Sequence, residues 1–166
     1  GGFFTAPETT GVIFFGRAYP NSKVILLKDG QLAASTVAGP DAKFEITLTG
    51  LSAGNYIFSV YGEDNKNRRS ILQNFPVTLT IGATVRVSGV YVSPTIDVDK
   101  SEVRRGDDLA IFGQTVPTAD VTIAVNSEEE IFIKTKSDKG GVYLYNFDTS
   151  PSALGQHSIK SKSAQE

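Results

Sequence analysis

One stretch of this chain occurs twice. Phe15-Gly16, Pro20 and Val24 return as Phe112-Gly113, Pro117 and Val121, each match at a constant offset of 97 residues. Asp41 and Asp138 keep the same offset, and Gly54-Asn55-Tyr56 has a counterpart in Gly155-Gln156-His157. A repeat of this length constrains the fold more than any single residue does, because it requires two copies of one supersecondary unit. At 166 residues, each copy has room for one small domain. Pro94 interrupts a strand-like run at Val92-Ser93-Pro94-Thr95 and sets the boundary, giving domains 1–93 and 94–166.

Within each copy the local signals are those of strands. Val12–Gly16, Lys23–Lys28, Gln31–Val37, Lys43–Thr49, Asn55–Tyr61, Ser70–Thr80 and Thr84–Val92 are separated by turn residues about every ten positions, the spacing of a β-sandwich. Phe44, Ile46 and Leu48 alternate with polar neighbours, as do Tyr56, Phe58 and Val60, so each run has one inward face. Asp29-Gly30 marks a tight hairpin, since both turn positions of that type need positive φ. No stretch sustains an apolar stripe at helical spacing, and the fold class expected is all-β, two tandem sandwiches with almost no helix.

Composition narrows the chemistry. The chain has no Cys and one His, which removes thiol nucleophiles, Cys-rich zinc sites and disulfide frameworks, along with most triads. Sixteen basic against eighteen acidic residues offer no polybasic surface for nucleic acid or anionic membrane. The balance is uneven: the first domain carries 8 basic and 6 acidic residues, the second 8 and 12. No apolar run approaches the roughly 20 residues that cross a bilayer as a helix. The opening Gly1-Gly2-Phe3-Phe4-Thr5 has neither Met nor a signal-peptide pattern, and reads as a mature fragment or a piece of something longer.

Gly106-Asp107-Asp108-Leu109-Ala110-Ile111-Phe112-Gly113, followed by Val116-Pro117-Thr118-Ala119-Asp120-Val121, resembles the repeat of bacterial immunoglobulin-like modules. The first unit is similar, through Gly16, Pro20, Val24, Asp29-Gly30 and Asp41-Ala42-Lys43-Phe44. Leu51-Ser52-Ala53-Gly54-Asn55-Tyr56 resembles the corner that opens a late strand in these modules and in carboxypeptidase-regulatory-like sandwiches. The resemblance implies a non-catalytic structural, adhesion or spacer module of a larger bacterial surface or secreted protein, with other modules of the same polypeptide or surface assembly as partners. It carries over no catalytic or ligand residues. Two other readings stand beside it: a carbohydrate-binding accessory module of a secreted enzyme, with polysaccharide as partner, and a strand-exchanging subunit of a surface filament. The second copy departs from the first after the corner, with 9 residues following His157 where 36 separate Tyr56 from Val92. It is therefore expected to lack its final strand or strands.

Few side chains invite a chemical role. His157 sits at the repeat position of Tyr56, where a ring packs and its polar tip reaches backbone. Asp97, Asp99, Glu102, Asp107 and Asp108 crowd the start of the second domain, and Asp97, Asp99, Asp107 and Asp108 are candidate ligands for calcium, a hard cation that takes several carboxylate oxygens. Lys100, Arg104 and Arg105 lie among these acids, and solvated alternation along a strand explains them equally well. Glu128-Glu129-Glu130 occupies the place of the Asp29-Gly30 hairpin and reads as a solvated turn. Asp64-Asn65-Lys66-Asn67-Arg68-Arg69 is the binding-loop candidate, although polar turn chemistry alone would make it a soluble hairpin tip. Tyr143, Tyr145 and Phe147 share a strand face that either stacks sugar rings or, as is more usual, fills the core.

Overall fold

Strand-forming runs and the turns between them set the architecture. The structure is a computed structural model that describes residues 9–99, 106–126, 130–148 and 158–164. Thirteen strands and no helix occur among these residues. The first seven are β1 (Gly11–Arg17), β2 (Lys23–Lys28), β3 (Gln31–Val37), β4 (Lys43–Leu48), β5 (Gly54–Glu63), β6 (Gln73–Leu79) and β7 (Thr84–Tyr91). The remainder are β8 (Asp97–Val98), β9 (Asp108–Gln114), β10 (Asp120–Asn126), β11 (Glu130–Lys136), β12 (Val142–Asp148) and β13 (Ser158–Ala164). The expected strand at Ser70 begins at Gln73 instead, because the Ser70 hydroxyl accepts from the Gly62 amide and donates to the Ile71 carbonyl, holding a turn there.

The first sandwich packs a sheet of order β4-β1-β7 against one of order β3-β2-β5-β6. Inward residues of both sheets, among them Val12, Phe14, Leu26, Phe44, Phe58 and Leu79, form one core. Phe14 meets the edges of Phe58 and Phe75 at centroid distances of 5.3 and 5.9 Å, the T-shaped geometry that ring quadrupoles favour. In immunoglobulin constant domains the first strand shares a sheet with the second. Here it pairs with β4 antiparallel and with β7 in parallel.

Turn chemistry follows the sequence closely. Asp29 and Gly30 both have positive φ, 48° and 81°, and the Asp29 carboxylate also accepts from the Ile57 amide at 2.8 Å, tying the hairpin to β5. Pro20 precedes Asn21 at φ 61°, and Pro117 precedes Thr118 at φ 50°, so the repeat preserves a left-handed residue after each proline. Asp41 and Asp138 close equivalent turns, with the Oδ1 atom of each accepting the amide of Lys43 or Val142. The Tyr56 hydroxyl donates to the Ser52 carbonyl four residues upstream at 2.8 Å, as expected of the corner. Tyr56→Phe is expected to lower the stability of the first sandwich by about 1 kcal/mol, the usual worth of one such bond. A urea titration reads this as a midpoint shift with an unchanged slope.

The second sandwich repeats the first through five strands. β12-β9-β8 faces β11-β10-β13, and the pairings β9–β12, β10–β11 and β10–β13 reproduce β1–β4, β2–β3 and β2–β5. A separate core gathers Leu109, Ile111, Val121, Ile123, Tyr143 and Phe147. Among the described residues no strand after β13 corresponds to β6 or β7. The edge of β9 is nevertheless closed. Thr95 donates its amide to the Gln114 carbonyl at 3.0 Å, β8 pairs Asp97 with Phe112, and Asp99 donates to Ala110 at 3.1 Å. The segment leading into the sandwich thus lies where β7 lies in the first.

The repeated Phe-Gly pair explains itself here. A Cβ on Gly16 would run into the Val90 carbonyl of β7, and one on Gly113 would run into the Thr95 carbonyl. Glycine permits this approach because it has no side chain to place in the gap.

Candidate functional site

The polar loop of the first sandwich exposes Asn65, Lys66, Asn67 and Arg69 but is tied down at its base. Asp64 is buried, its side chain 1% exposed, and it organises the joint between the two sandwiches. Its Oδ1 accepts the amides of Lys66 and Arg68 at 2.9 and 3.0 Å, an Asx-type turn that curls the loop and puts Asn67 at φ 60°. Its Oδ2 accepts the Arg68 Nε at 2.8 Å and the Thr95 hydroxyl at 2.5 Å. Four donors therefore converge on one carboxylate, and one of them comes from the segment that starts the second sandwich.

Neighbouring residues extend the contact. The Asn65 amide donates to the Gln114 side-chain oxygen at 3.2 Å, and Gln114 Nε2 returns a bond to the Asn65 side-chain oxygen at 2.7 Å. The Arg68 guanidinium lies over the Phe112 ring, 5.4 Å from its centroid, and 3.9 Å from Asp97. The Thr95 hydroxyl also accepts the Gln114 amide at 3.0 Å, and Tyr143 donates its hydroxyl to the Thr95 carbonyl at 2.5 Å. Gly141, at φ 85°, brings the turn before β12 against Tyr19 and Pro20 of the first sandwich. The space left among Tyr19, Ser22, Gly62, Val92, Thr95 and Gln114 is about 10 Å³, so the joint is packed.

Burial pushes the Asp64 carboxyl up, but the bonds from Thr95, the Arg68 and Lys66 amides and the Arg68 side chain outweigh it and hold the group below its ordinary value of 3.8. The carboxylate is thus stabilised by groups from both sandwiches. Arg69, the last residue of the loop, turns away from the joint and lies over Tyr61, 5.6 Å from the ring centroid, with Glu63 at 3.8 Å.

The remaining candidates fall elsewhere. Asp97 accepts the amide of Val98 at 2.8 Å, and Asp99 accepts that of Ala110 at 2.9 Å. These two carboxylates serve backbone donors of the β8–β9 edge. Asp107 and Asp108 flank the start of β9, each engaged by a neighbouring group. No set of three or more His, Asp or Glu side chains converges in metal-binding geometry among the described residues. Glu102, Glu128, Glu129 and His157 lie outside the described residues, while Glu130 opens β11 and is exposed. Tyr143 and Phe147 are buried in the second core and Tyr145 packs against it, which leaves the aromatic row no face for sugar. An open groove of about 510 Å³ on the outer face of β4-β1-β7 is lined by Phe15, Arg17, Lys43, Glu45 and Tyr91. It mixes both signs of charge and holds no nucleophile–base pair.

The sequence matches no protein-family model and no curated protein. Among solved structures it is similar to a tetra-tandem repeat in the extending region of a large adhesion protein, at 16% identity and a TM-score of 0.39, over 92% of this chain and 45% of that one. A central fibronectin-III array of RIM-binding protein aligns at 12% identity and a TM-score of 0.33, over 87% and 51%. Fibronectin(III)-like modules of Clostridium thermocellum CbhA align at 19% identity and a TM-score of 0.26, over 94% and 90%. The chain spans about half the length of the first two. Its own strands, cores and turns make it an all-β protein of two tandem immunoglobulin-like β-sandwiches.

Proposed function

We propose that the chain is a non-catalytic spacer or adhesion module of a larger bacterial surface or secreted protein, in which two domains, 1–93 and 94–166, are held in one fixed orientation. The observation that carries this is the Asp64 joint. A flexible pair of modules needs only a polar linker, whereas here Asp64, Asn65 and Arg68 bond to Thr95 and Gln114 and lie over Phe112. Fixed orientation is what a spacer requires if it is to set a distance. The tyrosine corner fits both the bacterial immunoglobulin-like and the carboxypeptidase-regulatory-like modules that the sequence resembles. The partners are other modules of the same polypeptide, and the place of action is the cell surface or beyond.

Residual dipolar couplings of the whole chain test the joint. The two sandwiches are expected to share one alignment tensor, and Asn65→Ala combined with Gln114→Ala is expected to split it into two. Independent tensors in the unmodified protein would overturn the reading.

A further inference from the structure

We propose that the outer face of the β3-β2-β5-β6 sheet is the contact of a symmetric dimer of this chain, formed by packing that sheet against its copy in a second molecule; this goes beyond the spacer reading. An antiparallel sheet with one face in water alternates apolar and polar residues along each strand. β2 does not alternate in this way. Val24 and Leu26 enter the core, and Ile25 and Leu27 point to the other face. Tyr61 of β5 stands opposite Ile25 there, and Leu32 of β3 stands opposite Leu27. Leu32, Val37 and Ile57 on this face are 73%, 62% and 54% exposed. The fold itself does not require the apolar coat, because the second sandwich is built without it. At the offset of 97 residues, Ile25 and Leu27 are replaced by Thr122 and Ala124 of β10. A contiguous apolar face present in one copy of a repeat and missing from the other marks an interaction surface.

The layout of the face selects a second copy as its occupant. β2 and β5 are the two middle strands of the sheet, with Lys23 opposite Glu63 and Ile25 opposite Tyr61. A twofold axis running along the strands between them lays β2 of one molecule over β5 of the other. Lys23 then meets Glu63 of the partner subunit, and Ile25 meets Tyr61 of the partner subunit, at both symmetry-related places. Opposite charges thus face each other across the contact while apolar side chains fill its middle, the self-complementarity that an isologous interface demands. Sheets packed face to face run within about 30° of each other, as their twist allows. Four strands at about 4.8 Å and some six residues at about 3.3 Å give a footprint of roughly 400 Å². That is about half of the roughly 800 Å² per partner of a standard interface, so the dimer is a transient one that forms where the chain is crowded.

Sedimentation velocity of the full 166-residue chain, followed from micromolar to millimolar concentration, tests the dimer. The sedimentation coefficient is expected to rise from that of a monomer toward that of a dimer. Lys23→Glu and Glu63→Lys are each expected to weaken association about tenfold, because each sets like charges against one another across the axis. Mixed in equal amounts, the two variants are expected to associate as the parent does, since every pair across the axis is then Glu with Lys. A role of these residues within a single chain would not produce that rescue. Urea midpoints of both variants check that folding is intact. The unsubstituted chain supplies a second measurement by NMR: amide shifts that depend on concentration are expected at Leu27, Ile57 and Tyr61 and not along β4-β1-β7. A monomer at millimolar concentration, no rescue on mixing, or shifts confined to another face would each overturn the dimer. Each of these results would leave the rigid spacer standing, since the shared alignment tensor tests the spacer separately.

Discussion

Replacing Gly16 with alanine is expected to remove about 3 kcal/mol from the first sandwich, the upper part of the range for overpacking a well-filled site. The new methyl would meet the Val90 carbonyl on one side and the Phe44 ring on the other, and neither is the end of a flexible side chain. Relief requires β7 to move away from β1, which sacrifices the ladder. Gly30→Ala supplies the contrast. Gly30 has φ 81° and nothing within 4 Å of where a Cβ would sit, so the cost is backbone strain alone, about 1 kcal/mol. Urea titration of both variants should separate steric from conformational demand. A Gly16→Ala loss no greater than that of Gly30→Ala would show that β7 shifts freely. Against a typical domain stability of about 5–15 kcal/mol, the larger loss leaves the fold measurable.

Asp64→Ala is expected to cost about 3 kcal/mol at neutral pH, the lower end for breaking a buried charged pair, because Arg68 keeps 17% of its side chain in solvent. The change deprives the Thr95 hydroxyl, the Lys66 amide and two Arg68 groups of their acceptor at once. Acid should reproduce part of the same loss in the unmodified protein. The folded carboxyl titrates below its ordinary value of 3.8, so the stabilisation it contributes is complete above that pH. It drains away as the pH falls through the lower folded value. Stability measured from roughly pH 5 down to 2 should therefore drop more steeply in the parent than in Asp64→Ala. Parallel curves would mean that the carboxylate is not held by the joint.

The strands were legible because their signal is local. Alternation over Phe44, Ile46 and Leu48, and paired turn residues such as Asp29-Gly30, need only a few consecutive positions to declare themselves. The offset of 97 likewise carried the second sandwich, down to the left-handed residue after each proline. The joint was not legible in that way. Asp64 meets Thr95 across 31 positions and Asn65 meets Gln114 across 49, and a polar pair at such separation leaves no period behind. The run Asp64–Arg69 looked like a hairpin tip because its turn chemistry is indeed that of a tip. What distinguishes it is the surface it curls against. Gly113 held a readable clue, since its repeat partner Gly16 makes way for a strand and Gly113 had none downstream to make way for.

The segment from Thr95 to Asp99 makes the two units unsuited to being shuffled like beads. A cut made after Asp99 would take from Gly113 the carbonyl it accommodates and from the Tyr143 hydroxyl its acceptor. A cut made before Pro94 would keep those contacts but strand Asp64 without Thr95. Neither position leaves both neighbours whole. Any transplant of one unit into another array would have to bring a matching loop from the unit ahead of it, so the inheritable piece is the pair.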